Sequence, residues 1–261
     1  MRSAPLTVGS GGALVLVAHG SRDPRAAAST RALARAVRTA VTDLAVRESY
    51  LDHTIPAPDA VLGDLEAGGH PCAVLVPLLL TAAYHGRVDV PAAVEQARSA
   101  GLRIPVRVTR VLGPEPGPAD GMPARSGPVH GALLAGLRRR LTEAAPDGFD
   151  AVVLAAAGTR DAAARLTVER VAERLGAALG VPCVPAYASA APPTVDVAVQ
   201  GLRAAGARRV AAAAYFLAPG RLYDAAAVAA RDAGAVAVAA PLGDAPELVE
   251  LILSRVGSVT G

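Results

Sequence analysis

Apolar runs alternate with amphipathic stretches along the 261-residue chain, and this alternation predicts its architecture. ALVLVA (Ala13 to Ala18) is short, β-branched and uninterrupted, as expected of a parallel strand buried on both faces. From Pro24 to Val46, Ala28, Leu33, Val37 and Val41 recur near helical spacing with arginines between them, which predicts a helix. A weaker strand follows at Arg47 to Leu51, then a helix from Pro58 to Ala67 ended by Gly68 and Gly69. CAVLVPLLL (Cys72 to Leu80) is the strongest strand signal. Pro91 to Ala100 reads as a helix stopped by Gly101, and IPVRVTRV (Ile104 to Val111) as a half-exposed strand. Strand and helix in strict alternation predict an α/β fold with a mostly parallel sheet.

GPEPGPADGMPARSGP (Gly113 to Pro128) holds too much Gly and Pro to continue a helix or a central strand, and reads as a linker. A helix from Val129 to Ala145 and a strand in AVVLAAAG (Ala151 to Gly158) then restart the alternation. The restart is a repeat. VAHGSRD (Val17 to Asp23) matches AAAGTRD (Ala155 to Asp161) 138 positions on, and YLDHTIP (Tyr50 to Pro56) matches YASAAPP (Tyr187 to Pro193) 137 positions on. HGRVDV (His85 to Val90) matches PGRLYD (Pro219 to Asp224) at 134, and QARSAG (Gln96 to Gly101) matches AARDAG (Ala229 to Gly234) at 133. The expected organisation is two homologous doubly wound α/β halves facing each other across a cleft. The first spans residues 13–112, the linker 113–128 and the second, degenerate half 129–257.

Composition narrows the chemistry. All 26 cations are Arg, so a Schiff-base lysine and a Walker A lysine are both excluded. The net charge of +3 is spread along the chain, and aromatics are 3% with no Trp, so neither a basic nucleic-acid surface nor a stacking platform is expected. Cys72 and Cys183 form no CxxC motif and sit beside apolar runs, where small buried hydrophobes are expected. No apolar run reaches the roughly 18 residues of a membrane span. MRSAPLTVGSGG at the amino terminus lacks a sustained apolar stretch, so no secretory signal and a cytoplasmic location are expected.

In a parallel sheet the loops after the strands share one edge, where ligands bind. His19 follows the first strand, Asp52 the second and His85 the third, each 33 residues after the last. Two imidazoles and a carboxylate suit a divalent transition metal. The second half is an internal control: the matching positions are Ala157, Ser189 and Pro219, whereas Gly158, Arg160, Asp161, Gly220 and Arg221 persist. Three candidate ligands lost together point to one shared task performed in the first half alone. Asp23 and Asp161, ahead of helices in both halves, are expected N-caps. Two readings stand for Arg22 and Arg87 with their partners Arg160 and Arg221: structural ion-pair formers, or holders of substrate carboxylates. His53, His70 and His130 fall in loops or at a helix start and are assigned no role.

AHGSRDPR, YLDHTIP and VPLLLTAAYHGRVDVP resemble the three signature segments of the class II tetrapyrrole chelatases of the sirohydrochlorin chelatase type. The duplicated layout, with the segments intact in one half, resembles the long two-domain members. The resemblance implies that His19 and His85 bind the incoming metal and act on the macrocycle. It places Asp52, in Tyr50-Leu51-Asp52, where the family carries the Glu of a Phe-Leu-Glu segment, one methylene longer. It further implies that Ser21, Arg22, Arg87, Arg160 and Arg221 face a polycarboxylate substrate, that the metal is Fe2+ before Co2+, and that no cofactor beyond the substrate metal is needed. The expected partners are sirohydrochlorin and the divalent metal, with no nucleic acid and no membrane, on a monomer. Chemically, one imidazole nitrogen cannot ligate metal and accept a proton at once, so the two histidines would alternate between delivering metal and taking pyrrole protons. A histidine phosphatase is disfavoured because Ala18, not Arg, precedes His19. A metal- or tetrapyrrole-binding protein without turnover is the standing alternative.

Overall fold

A computed structural model describes residues 11–81, 89–116 and 128–260. The first half runs β1 (Ala13–Ala18), α1 (Pro24–Ala40), β2 (Ala45–Tyr50), α2 (Pro58–Ala67), β3 (Ala73–Pro77), α3 (Val90–Ser99) and β4 (Val106–Val108). The second runs α4 (Gly131–Ala144), β5 (Ala151–Ala156), α5 (Ala162–Leu179), β6 (Cys183–Tyr187), α6 (Val195–Ala204), β7 (Val210–Tyr215), α7 (Arg221–Asp232), β8 (Ala237–Val238) and α8 (Pro246–Thr260). All strand neighbours are parallel, in the orders β2-β1-β3-β4 and β6-β5-β7-β8. The molecule is thus two doubly wound α/β halves of one topology. Every residue of β1 and of β5 is buried, which is why both read as unbroken apolar runs.

Several boundaries depart from the pattern-based expectation. The first helix ends at Ala40 rather than reaching Val46, because the chain turns extended at Val41 and enters β2. β2 lies at the sheet edge, where Arg47 is exposed, so its mixed polarity hides a strand. The third strand closes at Pro77, which has no amide to donate, although Leu78 still donates to Val17 O at 2.8 Å. β4 keeps only three residues of the expected eight, again at an edge. Cys72 is buried, whereas Cys183 is only partly covered yet its thiol is pushed up to about 12 by burial. The linker reading falls mainly on residues 117–127, outside the described ones.

The last helix of the second half crosses to the first. α4 packs on β7, β8 and α5, α8 packs on β3 and α1, and the two lie against each other. Leu133, Leu137 and Leu141 of α4 and Leu251 and Ile252 of α8 are almost completely buried, in one core with Leu14 and Leu16 of β1 and Leu154 of β5. Each such side chain stabilises the fold by about 1.5–3 kcal/mol relative to exposure, so the halves share much of their hydrophobic stability. Polar contacts fix the seam. The Tyr215 hydroxyl donates to Leu80 O at 2.8 Å, and the buried Arg255 guanidinium donates to Val111 O and Leu112 O at 2.9 and 3.1 Å.

Candidate functional site

In the order β2-β1-β3-β4 the connections after β1 and β3 leave in opposite directions, which opens a crevice at the carboxyl ends of these strands. His19 is the first residue beyond β1 and stands exposed at that crevice. The turn behind it is tightly built. Gly20 takes φ +92°, and a Cβ there would lie 1.7 Å from Asp52 O; the Asp52 amide in turn donates to His19 O at 2.9 Å. Ser21 Oγ then accepts from the Asp23 amide at 3.0 Å, and the Asp23 carboxylate caps α1 by accepting from the Arg25 amide at 2.9 Å.

The second half repeats this backbone part by part. Gly158 has φ +94° with Ser189 O 1.9 Å from a would-be Cβ, and the Ser189 amide donates to Ala157 O at 3.1 Å. Thr159 Oγ1 accepts from the Asp161 amide, and the Asp161 carboxylate caps α5. Both expected N-caps are therefore present. What the repeat lacks is the imidazole.

Three cavities, of about 150, 340 and 890 Å³, open along the crevice, and His19 walls all three. The larger two fall in the range of small-molecule sites. Both halves supply walls: Ser21, Arg22 and His53 face Ala157, Phe216 and Arg221 across the largest. Its rim is laced by ions. Arg25 Nη2 lies 2.5 Å from Asp23 Oδ2 and 2.5 Å from Asp224 Oδ2 on α7, so one guanidinium ties the halves together. That guanidinium holds the Asp23 carboxyl below the usual carboxylate range.

The expected site residues fare unequally. His19, Ser21, Arg22 and Arg221 gather at the largest cavity, whereas Arg160 is exposed but walls none of the three. Among the described residues, no carboxylate lies within ion-pairing distance of Arg22, Arg160 or Arg221, so the structural ion-pair reading finds no support there. Asp52 sits at the same rim through its backbone, but its carboxylate turns onto His53: Oδ1 accepts the His53 amide at 2.7 Å, and Oδ2 is 3.3 Å from His53 Nε2. His85 and Arg87 lie outside the described residues, among which no three His, Cys, Asp or Glu side chains gather as a metal-ligating group. Sequence reasoning passed over His53 and the Arg25–Asp224 bridge. For His53 the signal was already present in its alignment with Ala190.

The CbiX family model matches residues 13–126 and again 151–259. SirB from Bacillus subtilis with Fe3+ superposes with a TM-score of 0.79 at 19% identity, covering 96% of each chain. The sirohydrochlorin chelatase SirB from Bacillus subtilis subspecies spizizenii in complex with cobalt gives 0.74 at 19% identity over 95% of each chain. A multi-domain protein from Deinococcus radiodurans, described as structurally similar to chelatases, gives 0.62 at 21% identity over 95% of this chain and 54% of its own. At these identities the likeness is one of fold. No curated protein sequence matches this chain.

Proposed function

Because this chain belongs to the CbiX family, we propose that it is a metal chelatase, inserting a divalent metal, Fe2+ before Co2+, into sirohydrochlorin during siroheme or cobalamin assembly. One observation carries the reading. Three cavities meet at His19, and the duplicated backbone at the matching position carries Ala157 in its place. A residue needed only for the turn would have been needed twice.

Insertion forms metal–nitrogen bonds to the macrocycle and breaks two pyrrole N–H bonds, so two protons must leave as the metal enters. His19 and His85 alternate: while one holds the metal as a neutral imidazole, the other accepts a pyrrole proton. The first deprotonation exposes a lone pair that draws the metal inward, and the second completes the exchange. Arg22 and Arg221, on opposite walls and unpaired with any described carboxylate, hold peripheral carboxylates of the macrocycle through planar forks. Ser21 lines the same cavity, and Arg87 and Arg160 are assigned to the same substrate. Metal and tetrapyrrole are the two substrates, and no further cofactor is called for. Both walls come from one chain, so the protein works as a monomer, in the cytoplasm. No described helix is long and apolar enough to cross a membrane.

The test is anaerobic incubation of sirohydrochlorin with Fe2+ or Co2+, following the macrocycle's absorbance against the metal-only rate. Multiple turnovers per protein, lost in His19→Ala, support the proposal. Stoichiometric binding of metal or tetrapyrrole with no rate above background would make the protein a carrier instead.

A further inference from the structure

The internal control extends one residue beyond the expected ligands. His53 adopts φ +58°, a left-handed conformation uncommon outside Gly, Asn, Asp and His, and its counterpart Ala190 adopts φ +63°. Around both, the chain is the same: the Tyr50 and Tyr187 amides donate to Pro56 O and Pro193 O at 2.9 and 3.0 Å, and the Thr54 and Ala191 amides donate to Asp52 O and Ser189 O at 2.7 and 2.8 Å. The turn therefore forms without an imidazole. A β-carbon at a left-handed position is a standing cost, and the second half meets it with a single methyl. The first half alone carries an imidazole there, as it alone carries one beyond β1.

The placement of that ring is specific. His53 walls the 890 Å³ cavity together with His19, Arg22 and Arg221, whereas Asp52 walls none of the three cavities. The Asp52 carboxylate lies 3.3 Å from His53 Nε2 and accepts the His53 amide at 2.7 Å, so it faces its neighbour. A carboxylate one methylene shorter than glutamate thus turns onto its neighbour, and the neighbour reaches the cleft.

We infer that His53 is the group the second strand presents to the incoming metal, and that Asp52 is its positioning residue rather than a ligand. This rests on the chelatase reading above. The cleft then offers imidazoles beyond β1 and beyond β2, and the metal is handed along nitrogen donors before it meets pyrrole nitrogen.

The probe is Co2+ itself, read anaerobically by its visible ligand-field bands with the full-length protein. His53→Gly is the informative variant, because glycine accepts φ +58° without strain and the fold should hold, with a melting temperature equal to or above that of the parent. The inference expects His53→Gly to weaken Co2+ binding at least ten-fold, to change the ligand-field spectrum and to lower kcat for insertion more than it raises KM for the tetrapyrrole. Asp52→Asn should lose less than His53→Gly, and the double variant no more than His53→Gly alone, since a positioning residue has nothing left to position. Unchanged Co2+ spectrum and affinity in His53→Gly overturn the inference, as does a further loss when Asp52→Asn is added, which would make Asp52 a ligand in its own right. A parent protein that binds no Co2+ and inserts none overturns the chelatase reading itself.

Discussion

At the end of β1 the chain turns through Gly20 over the carbonyl of Asp52, and at the end of β5 it turns through Gly158 over that of Ser189, with φ angles two degrees apart. The same capping aspartate follows, held by the same hydroxyl-to-amide bond, and the same left-handed residue lies beyond the neighbouring strand. On the first of these frames stand His19, Asp52 and His53; on the second stand Ala157, Ser189 and Ala190. The comparison separates two kinds of residue that a single domain would leave mixed. What both halves keep includes what the strand–turn–helix unit needs, and what one half alone keeps is where the proposed metal chemistry is sought.

The most damaging way to probe that separation is His19→Ala. It should cut insertion by about a hundred-fold or more, the scale of losing a metal-handling or proton-accepting group. The melting temperature should barely move, because His19 is exposed at a loop. Steady-state kinetics beside a thermal melt decides, and near-normal turnover would end the functional division between the halves. Gly20→Ala and Gly158→Ala test the opposite side. Each forces a Cβ to within 2 Å of a carbonyl oxygen at positive φ, so each should destabilise by about 2–4 kcal/mol in denaturant unfolding, and to a similar degree. A silent substitution in either half would show that the frames are not equivalent.

Smaller effects sharpen the picture at the walls. Arg22→Ala and Arg221→Ala should each raise KM for the tetrapyrrole roughly five- to ten-fold with kcat little changed, as befits an exposed charge-assisted contact. Arg160→Ala should do less, since Arg160 walls none of the cavities. The smallest effect concerns the bridge at the rim. Arg25 depresses the folded-state titration of Asp23 below its unfolded value. Its stabilisation is therefore present in full above the ordinary carboxylate range and is lost as the pH falls through the lower folded value. Melts at pH 6 and pH 3 should show Arg25→Met losing less on acidification than the parent, with the gap at pH 6 shrinking as salt is added.

Much of this was legible in sequence because burial on both faces writes itself plainly. β1 and β5 are continuous apolar runs, and their turns carry Gly, Arg and Asp at one fixed offset. Legibility fails where an element has one foot in water. β2 reads AVRESY, with Arg47 facing solvent at the sheet edge, so the apolar spacing of α1 ran on past Ala40 without a visible stop. β4 is three partly covered residues, too few to show a period. At the site, His19 was accessible to reasoning because a residue after a central strand must stand at the crevice. His53 stands out only through its alignment with Ala190, and its placement does not stand out at all, since that depends on one left-handed backbone angle and on which way the short Asp52 carboxylate turns. Periodicity carries neither fact. The expected ligand set placed Asp52 by its position after the second strand, and the contact its carboxylate makes with His53 is a matter of side-chain direction that no spacing carries.

The packing of α8 on the first half has a consequence for how the protein is made. A ribosome releases the first sheet long before it releases the helix that covers it: β3 is complete at Pro77, but Leu248, Leu251 and Ile252 emerge only with the last 15-residue helix. Until then the flank of that sheet which α8 shares with α1 is only partly covered, and the nascent chain carries apolar surface that awaits α8. The first half is therefore finished only after the second half's last described helix has been made, so the order of residues in the message and the order of completion in the fold run in opposite directions.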